Sequence, residues 1–496
     1  MRLRKALSNL EDHDLPEFTG MTRIVAGIAA GLFITLAVFH FSYTPDDTYI
    51  YLQYAKKIAA GKGFSFNGGE HSYGTTGPLW ALLIAGGRAV GLAPYAVAKS
   101  FDLSFSILSI VCLYLLANHL LRSVTYGLLA SILFSMDAWF IRWSGSGMET
   151  SFAVFLSILG VWLSLRNRAL ISGFVFGLLT LTRPEAGLLS VIMISRSMFA
   201  RSERDTTTLE RIQPLVAYLL VVLPWLLFSY IHFGTILPNT LYGKSGGLAR
   251  PADIAPNFMT VMTLLAATQL PAMAAVFISF VKEPRHWKEQ YYLAAWIGTL
   301  SIFYIIDNVQ VVSRYLLILT PFLIVAGLAA LQHLARSFSL PRGRVIAFII
   351  LLVSLTVAEN QFVYWTKVKP HLDNFITGSN DCLMPIGRWL RVNTKEDALV
   401  FVPDIGMIGF YSDRTICDAG LVSPQVGKAF RGTDFDHSMM QGKYNAILNP
   451  EYVIDRSPTR DRLASATMTP LFTLQFPGLG IANTDMRYYT VYKQAR

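Results

Sequence analysis

Charge is scarce in this chain of 496 residues: 15% are Asp, Glu, Lys or Arg, against 53% hydrophobic. Soluble domains carry about 25% charged residues, so an ordinary water-soluble globular protein is excluded. Cysteine is nearly absent, with three residues, and no cysteine and histidine spacing indicates a structural metal. Cys112 lies in an apolar run as a small packing residue, whereas a Cys382–Cys417 disulfide is open if their polar region is exported. No small-residue cleavage site follows the basic start at 1–23, which therefore reads as a signal anchor. An internal repeat of the kind found in many secondary transporters is also lacking. The formal charge of +10 does not point to nucleic acid, because lysine and arginine cluster in short loops between apolar runs. The positive-inside rule accounts for that clustering.

What the chain does have is long apolar runs, with a mean hydropathy of +0.43. They are long enough to cross a hydrocarbon core of about 30 Å. Arg2, Arg4, Lys5 and Arg23 place the N-terminus inside, so the first span, 24–41, leaves Asp46 on the outer side. The piece 78–92 is short, glycine-interrupted and carries Arg88, which fits a re-entrant or surface-lying helix. Crossings follow at 97–118, 124–141 and 150–165, then two helices in 168–200 broken at Thr182-Arg183-Pro184-Glu185. Further crossings are 212–231, 258–281, 291–307, 315–334 and 344–359. The expectation is a polytopic α-helical membrane protein with about 11 transmembrane helices and its C-terminus outside. Residues 1–359 form the membrane module, with a first outer loop at 42–96 and juxtamembrane helices. Residues 360–496 alternate strand-like and helix-like runs, as in a small extracytoplasmic α/β domain.

Ionisable groups gather at the outer ends of the spans. Asp46 and Asp47 head a helical run after Pro45, and Glu149 follows the small-residue turn Ser144-Gly145-Ser146-Gly147. Arg183 and Glu185 share a turn, Asp307 and Arg314 flank an outer loop, and His232 and Lys244 lie in another. Singly, each has a bland explanation as a cap, an ion pair or a dipole partner. Together they ring one outer vestibule, and ionisable groups near membrane depth are functional candidates by default. Moving a sugar off a lipid phosphate needs a base for the acceptor hydroxyl and cations for the leaving phosphate. A carboxylate suits the first task; Arg183, Lys244 and Arg314 suit the second. Tyr49, Tyr51, Tyr54, Trp80, Trp139 and Trp143 offer sugar-stacking faces, although interfacial aromatics are also routine anchors.

In motif order the chain resembles the GT-C superfamily of polyprenyl-phosphate-sugar-dependent glycosyltransferases. The nearest branch holds the mycobacterial arabinofuranosyltransferases, with lipid A aminoarabinose transferases and protein mannosyltransferases further off. The resemblance rests on Asp46-Asp47-Thr-Tyr-Ile with Gln53-Tyr54-Ala55, Gly61-Lys-Gly63-Phe64 and Tyr73-Gly-Thr-Thr-Gly77-Pro78-Leu79-Trp80. It continues through Ser146-Gly147-Met148-Glu149-Thr150, Thr182-Arg183-Pro184-Glu185 and Leu237-Pro238-Asn239-Thr240 with Tyr242 and Lys244. In the outer domain it ends on Pro403-Asp404-Ile-Gly406, Ile408-Gly-Phe-Tyr411 and Asp418-Ala-Gly420-Leu421. It implies a GT-C fold and inverting transfer, on the outer face, from a polyprenyl-phosphate-linked sugar to a cell-envelope glycan or lipid. Asp46 or Asp47 is then the base, Asp46 preferred, with Glu149 positioning the acceptor or supporting the base. The donor side falls to Lys244, Arg183, Arg314, Lys56, Tyr54 and Tyr242, and the acceptor side to Trp80, Glu185 and Asn239.

Many relatives have Arg where this chain has Gln53, which leaves the donor sugar open. No cofactor is required in this reading, although neighbouring carboxylates leave a divalent cation open. The resemblance also places the chain in a bacterial inner membrane with a periplasmic outer domain. Two rival readings stay open. One is a transporter or flippase of lipid-linked sugar, with Asp137 on an ion path. The other is a non-catalytic envelope-assembly component whose acids serve only as caps.

Overall fold

The computed structural model describes residues 19–69, 71–199, 208–240, 247–288, 290–338, 341–430, 435–482 and 484–495. Lys244 and Tyr242, both expected at the donor, lie outside the described residues. The described chain runs α1 (Thr19–Phe39), α2 (Asp46–Ala59), α3 (Pro78–Ala89), α4 (Pro94–Leu121), α5 (Val124–Ser135) and α6 (Ala138–Trp143). It continues through α7 (Thr150–Leu165), α8 (Ala169–Thr182), α9 (Gly187–Phe199), α10 (Thr208–Phe233), α11 (Pro251–Lys282) and α12 (Tyr291–Ile306). Two long rods follow, α13 (Ser313–Ser337) and α14 (Gly343–Asn393).

Among the described residues five helices are long and apolar enough to cross a membrane: α4, the Glu210–Phe233 part of α10, α11, α13 and α14. Segments of α1, α5, α7, α8 and α12 are apolar but shorter. This is a polytopic membrane protein. Helix α13 is its axis, with 89% of its apolar window buried, against 39% or less for the other four long helices. Those helices keep Leu220, Leu227, Phe277 and Ile350 exposed, as a lipid-facing surface requires. Helix α3, at 12 residues, spans about 18 Å and is too short to cross.

Two elements differ from the sequence expectation. The run 124–141 is not one helix: it breaks at Met136-Asp137, and Asp137 caps α6 by accepting from the Phe140 N–H at 2.8 Å. Helix α14 does not stop at residue 359 but runs 51 residues to Asn393. Two π-helical turns, Tyr364–Val368 and Ser379–Leu383, carry it out of the membrane and up to the outer sheet.

That sheet has five strands, β1 (Leu399–Phe401), β2 (Thr415–Cys417), β3 (Tyr452–Ser457), β4 (Met468–Pro477) and β5 (Met486–Gln494), in the order β2-β1-β3-β5-β4. β1 pairs in parallel with β2 and β3, and the other pairings are antiparallel. α15 (Ile405–Ser412) makes the β1–β2 crossover. β4 has no counterpart in the sequence reading; it is a mostly exposed edge strand with Pro470 at a register shift, so it lacks the alternation that betrays a half-buried strand. The disulfide left open above does not form, since Cys382 and Cys417 are buried free thiols.

The outer domain rests on the first outer loop. Asn67 exchanges two hydrogen bonds with the Ile416 backbone, at 2.8 and 2.9 Å, and Lys56 reaches Asp413 at 2.9 Å. The tightest approach is at Gly406, where an added Cβ would lie 1.9 Å from the Asp46 carbonyl oxygen. Gly406→Ala is therefore expected to lower stability by about 1–3 kcal/mol through overpacking. Gly343→Ala, with open space around it, serves as the neutral control in detergent thermal unfolding.

Candidate active site

Asp46 and Asp47 open α2 as neighbours on one helical turn, so their side chains leave the axis about 100° apart. That angle sends them to different places. Asp46 turns to the outer domain, where its two carboxylate oxygens accept from the N–H groups of Gly406 (2.9 Å) and Met407 (2.7 Å) at the start of α15. Asp47 turns into a cleft between α2, the Gly74–Thr76 segment, the Met148-Glu149 turn and α13. Its Oδ2 accepts from Arg314 Nη2 at 2.5 Å.

The walls of this cleft are built by turns that the sequence marked with small residues. Gly145 and Gly147 take positive φ (73° and 86°), which lets the chain reverse between α6 and α7. Asp102 of α4 grips that reversal, accepting from Ser146 Oγ at 3.0 Å and the Gly147 N–H at 2.8 Å. Trp80 Nε1 donates to the Gly147 carbonyl at 3.0 Å. Glu149 is thereby set at the start of α7, 3% exposed and 3.9 Å from Arg183. Pro184 breaks the chain between α8 and α9, and Arg183 there donates to Glu185 at 2.8 Å and to the Arg314 carbonyl at 3.1 Å. Tyr304 donates to the same Glu185 oxygen at 2.9 Å. Tyr315 lies between both guanidiniums, each 5.2 Å from its ring centre, an arrangement that fixes their planes.

Three polar atoms on residues that line this cleft, Glu149 Oε2, Thr240 Oγ1 and Arg314 Nε, are buried without a hydrogen-bond partner among the described residues. Buried polar atoms are nearly always paired. The residues that carry these three atoms surround a space of about 50 Å³. The space suits a phosphate or a reacting hydroxyl rather than a whole lipid-linked sugar, since ligand sites for drug-sized molecules run to about 300 Å³ and more.

Asp47, Glu149, Arg183, Glu185 and Arg314 thus converge in one place. Other residues singled out in the sequence do not. Trp80 is fully buried and bonded to backbone, so no acceptor reaches it. Tyr54 spends its hydroxyl on Ser72 and the Gly74 N–H. Lys56 faces Asp413, and Asn239 bonds the Leu421 carbonyl at 3.2 Å. Trp143 stacks between Arg142 (4.6 Å) and Arg314 (5.6 Å) rather than on open space. Tyr51, named among the stacking aromatics, and Thr240, within the Leu237-Pro238-Asn239-Thr240 motif, line the cleft, as does Tyr315, which only its place beside Arg314 hinted at.

Burial, reinforced by the charge of Asp404, pushes the Asp46 carboxyl up to about 7, against the two N–H bonds that favour its ionised form. Asp413 is also pushed up by burial, but the Lys56 ammonium outweighs this and holds it below the usual carboxylate range.

The profile of a family described as a domain of unknown function (DUF8728) matches residues 374–492. No curated protein sequence matches the chain. Solved structures do. ArnT from Cupriavidus metallidurans in the apo state is 14% identical, with 93% of this chain and 97% of that one covered and a TM-score of 0.53. The oligosaccharyltransferase AglB of Archaeoglobus fulgidus, in complex with an inhibitory peptide and a dolichol-phosphate, is 14% identical over 88% of this chain and 69% of its own, with a TM-score of 0.57. The same enzyme in complex with Zn and sulfate matches at 14% identity over 87% and 67%, with a TM-score of 0.55. The likeness is one of fold: this chain has the GT-C fold.

The zinc in the archaeal protein raises the question of a metal here. No cluster of three His, Cys, Asp or Glu side chains is found among the described residues. The acids in the cleft already face arginines, Asp47 to Arg314 and Glu185 to Arg183. At rest Asp47 is held by Arg314, so a divalent ion on Asp47 would compete with that guanidinium.

Two outcomes follow. Arg183→Gln leaves Glu149 and Glu185 buried without their cation and is expected to cost about 3–5 kcal/mol in detergent unfolding, part of which Glu185→Gln restores. Because the folded pKa of Asp46 is raised, its contribution to stability is full below about pH 4 and is lost as pH rises through about 7. The melting temperature should fall over that window in the wild type and stay flatter in Asp46→Asn.

Proposed function

We propose that this chain is an inverting glycosyltransferase that moves a sugar from a polyprenyl phosphate to a hydroxyl of an envelope glycan or lipid, on the outer face of the membrane. The observation that carries this reading is the trio of orphan polar atoms, Glu149 Oε2, Thr240 Oγ1 and Arg314 Nε, around Asp47. The GT-C fold supports it, as does the dolichol-phosphate in the archaeal enzyme.

Asp47, rather than Asp46, takes the proton of the acceptor hydroxyl. The hydroxyl oxygen attacks the anomeric carbon from the face opposite the phosphate as the carbon–oxygen bond to the phosphate breaks. The electron pair leaves with that oxygen, so the polyprenyl phosphate departs with one more negative charge. Arg314 and Arg183 face that growing charge. Before reaction Arg314 is held by Asp47; an arriving phosphate competes for the guanidinium and frees the carboxylate to act as base. Glu149 Oε2 orients the acceptor hydroxyl. The inside-basic loops support an outer domain on the non-cytoplasmic side, and the family resemblance supports a bacterial inner membrane with that domain in the periplasm.

The transporter reading puts Asp137 on an ion path. Asp137 is committed: one oxygen caps α6 and the other accepts from Gln269 at 3.0 Å.

Radiolabelled sugar transfer in membranes of a host lacking this chain, supplied with a pool of polyprenyl-phosphate sugars, tests the assignment. Asp47→Asn should cut the transfer rate by about 10²–10⁴-fold while donor still binds, and Asp46→Asn should lose less. Normal transfer by Asp47→Asn would remove it as the base.

A further inference from the structure

Beside the cleft lies a second cavity, of about 150 Å³, between the 67–73 loop, the end of α10 and the outer domain. Two chain segments line both spaces. Tyr73 faces this cavity while Gly74, Thr75 and Thr76 face the cleft, and Asn239 faces this cavity while Thr240 faces the cleft. The two spaces therefore stand back to back, one residue step of about 3.8 Å apart along each segment.

The chemistry of the second cavity is unlike that of the cleft. No Asp, Glu, Lys or Arg is among its described lining residues, so it is built neither for phosphate nor for an ion. Its free polar groups are amides and an imidazole. Asn239 commits only its Nδ2, to the Leu421 carbonyl, which leaves Oδ1 open. The side chains of His71 and Gln425 make no hydrogen bond among the described residues. Together they offer donors and acceptors in one small neutral space. Tyr73 and Phe233 stack at 5.2 Å and 28° to form an aromatic wall, and Trp225 holds the Tyr73 hydroxyl at 2.8 Å.

The place of His71 is itself built. Gly63 lies at φ +70°, and a Cβ there would stand 2.6 Å from the His71 ring, so only glycine lets the imidazole occupy its position.

A neutral sugar ring matches these features. Each hydroxyl both donates and accepts, its C–H face packs on an aromatic wall, and one ring displaces roughly the volume of five waters at about 30 Å³ each. We propose that this cavity is an acceptor subsite that holds a neutral pyranose or furanose unit of the glycan receiving the transferred sugar. The proposal rests on the transferase reading of the adjoining cleft. The outer domain, through Val422, Pro424 and Gln425, then takes part in acceptor choice.

The test is saturation-transfer NMR on the full chain in nanodiscs, probed with methyl pyranosides and methyl furanosides of the common neutral aldoses. The wild type should give saturation transfer to at least one of them. Asn239→Ala and Gln425→Ala, with unfolding midpoints verified as native-like, should each weaken it by about tenfold, as the loss of one hydrogen bond predicts. A wild type that binds none of the glycosides overturns the subsite. So does binding that survives both substitutions, or that is lost in Asp47→Asn instead. The readout is binding, so retained binding without any sugar transfer would sink the transferase reading while leaving a sugar site in place.

Discussion

Two adjacent carboxylates on one turn of α2 are the constraint on which the outer half of the molecule depends. Neighbours on a helix diverge by about 100°, so they cannot both face one cleft. Asp46 joins the membrane module to the outer domain by receiving the first N–H groups of α15, where the helix dipole favours an anion. Asp47, one residue on, is thereby turned to Arg314 and the cleft. The close contact between Gly406 and the Asp46 backbone keeps this division from slipping. The docking of the outer domain and the aim of Asp47 into the cleft are consequences of the same step of about 100° around the helix.

Much of the site was legible in the sequence because charge in an apolar chain is informative. Glu149, Arg183, Glu185 and Arg314 stood out as ionisable groups at span ends, and a hydrocarbon setting forces such groups towards each other. What one sequence lacks is direction around a helix axis. Lys56 and Tyr54, on the same helix as Asp47, looked equally available, yet they point to Asp413 and to the Ser72–Gly74 backbone. Trp80 belongs to a strong motif because it locks the Gly147 turn; a motif residue that supports a site cannot be told from one that touches substrate by pattern alone. The fold class followed from apolar runs, but run length hid two facts. The Asp137 cap splits one run into two helices, and α14 continues through polar sequence because helix propensity, unlike hydropathy, does not end at the membrane surface.

On the proposed reading, the arginines of the cleft pass from a carboxylate to the phosphate of the donor. Asp47, Glu149 and Glu185 face Arg183 and Arg314 alone among the described lining residues, three carboxylates to two guanidiniums, and each arginine has a carboxylate to leave. Exchange of a carboxylate for a phosphate oxygen keeps a guanidinium paired throughout, avoiding the heavy penalty of an isolated buried charge. Tyr315, packed against both guanidiniums, holds them in place during such an exchange.

The same economy of structure extends from the cleft to its neighbour. The segment Tyr73–Thr76 and the pair Asn239-Thr240 each pass from the neutral space to the charged one within a single residue step. A rigid partition of this kind fixes the offset between a group held on one side and a group reacting on the other, and fixed offset is what converts binding energy into orientation. The partition is braced by the outer domain, through the Leu421 carbonyl on Asn239 and the close approach of Leu421 to Gly74. On the proposed reading, a domain with no reactive cluster of its own thereby still decides which hydroxyl comes within reach of Asp47.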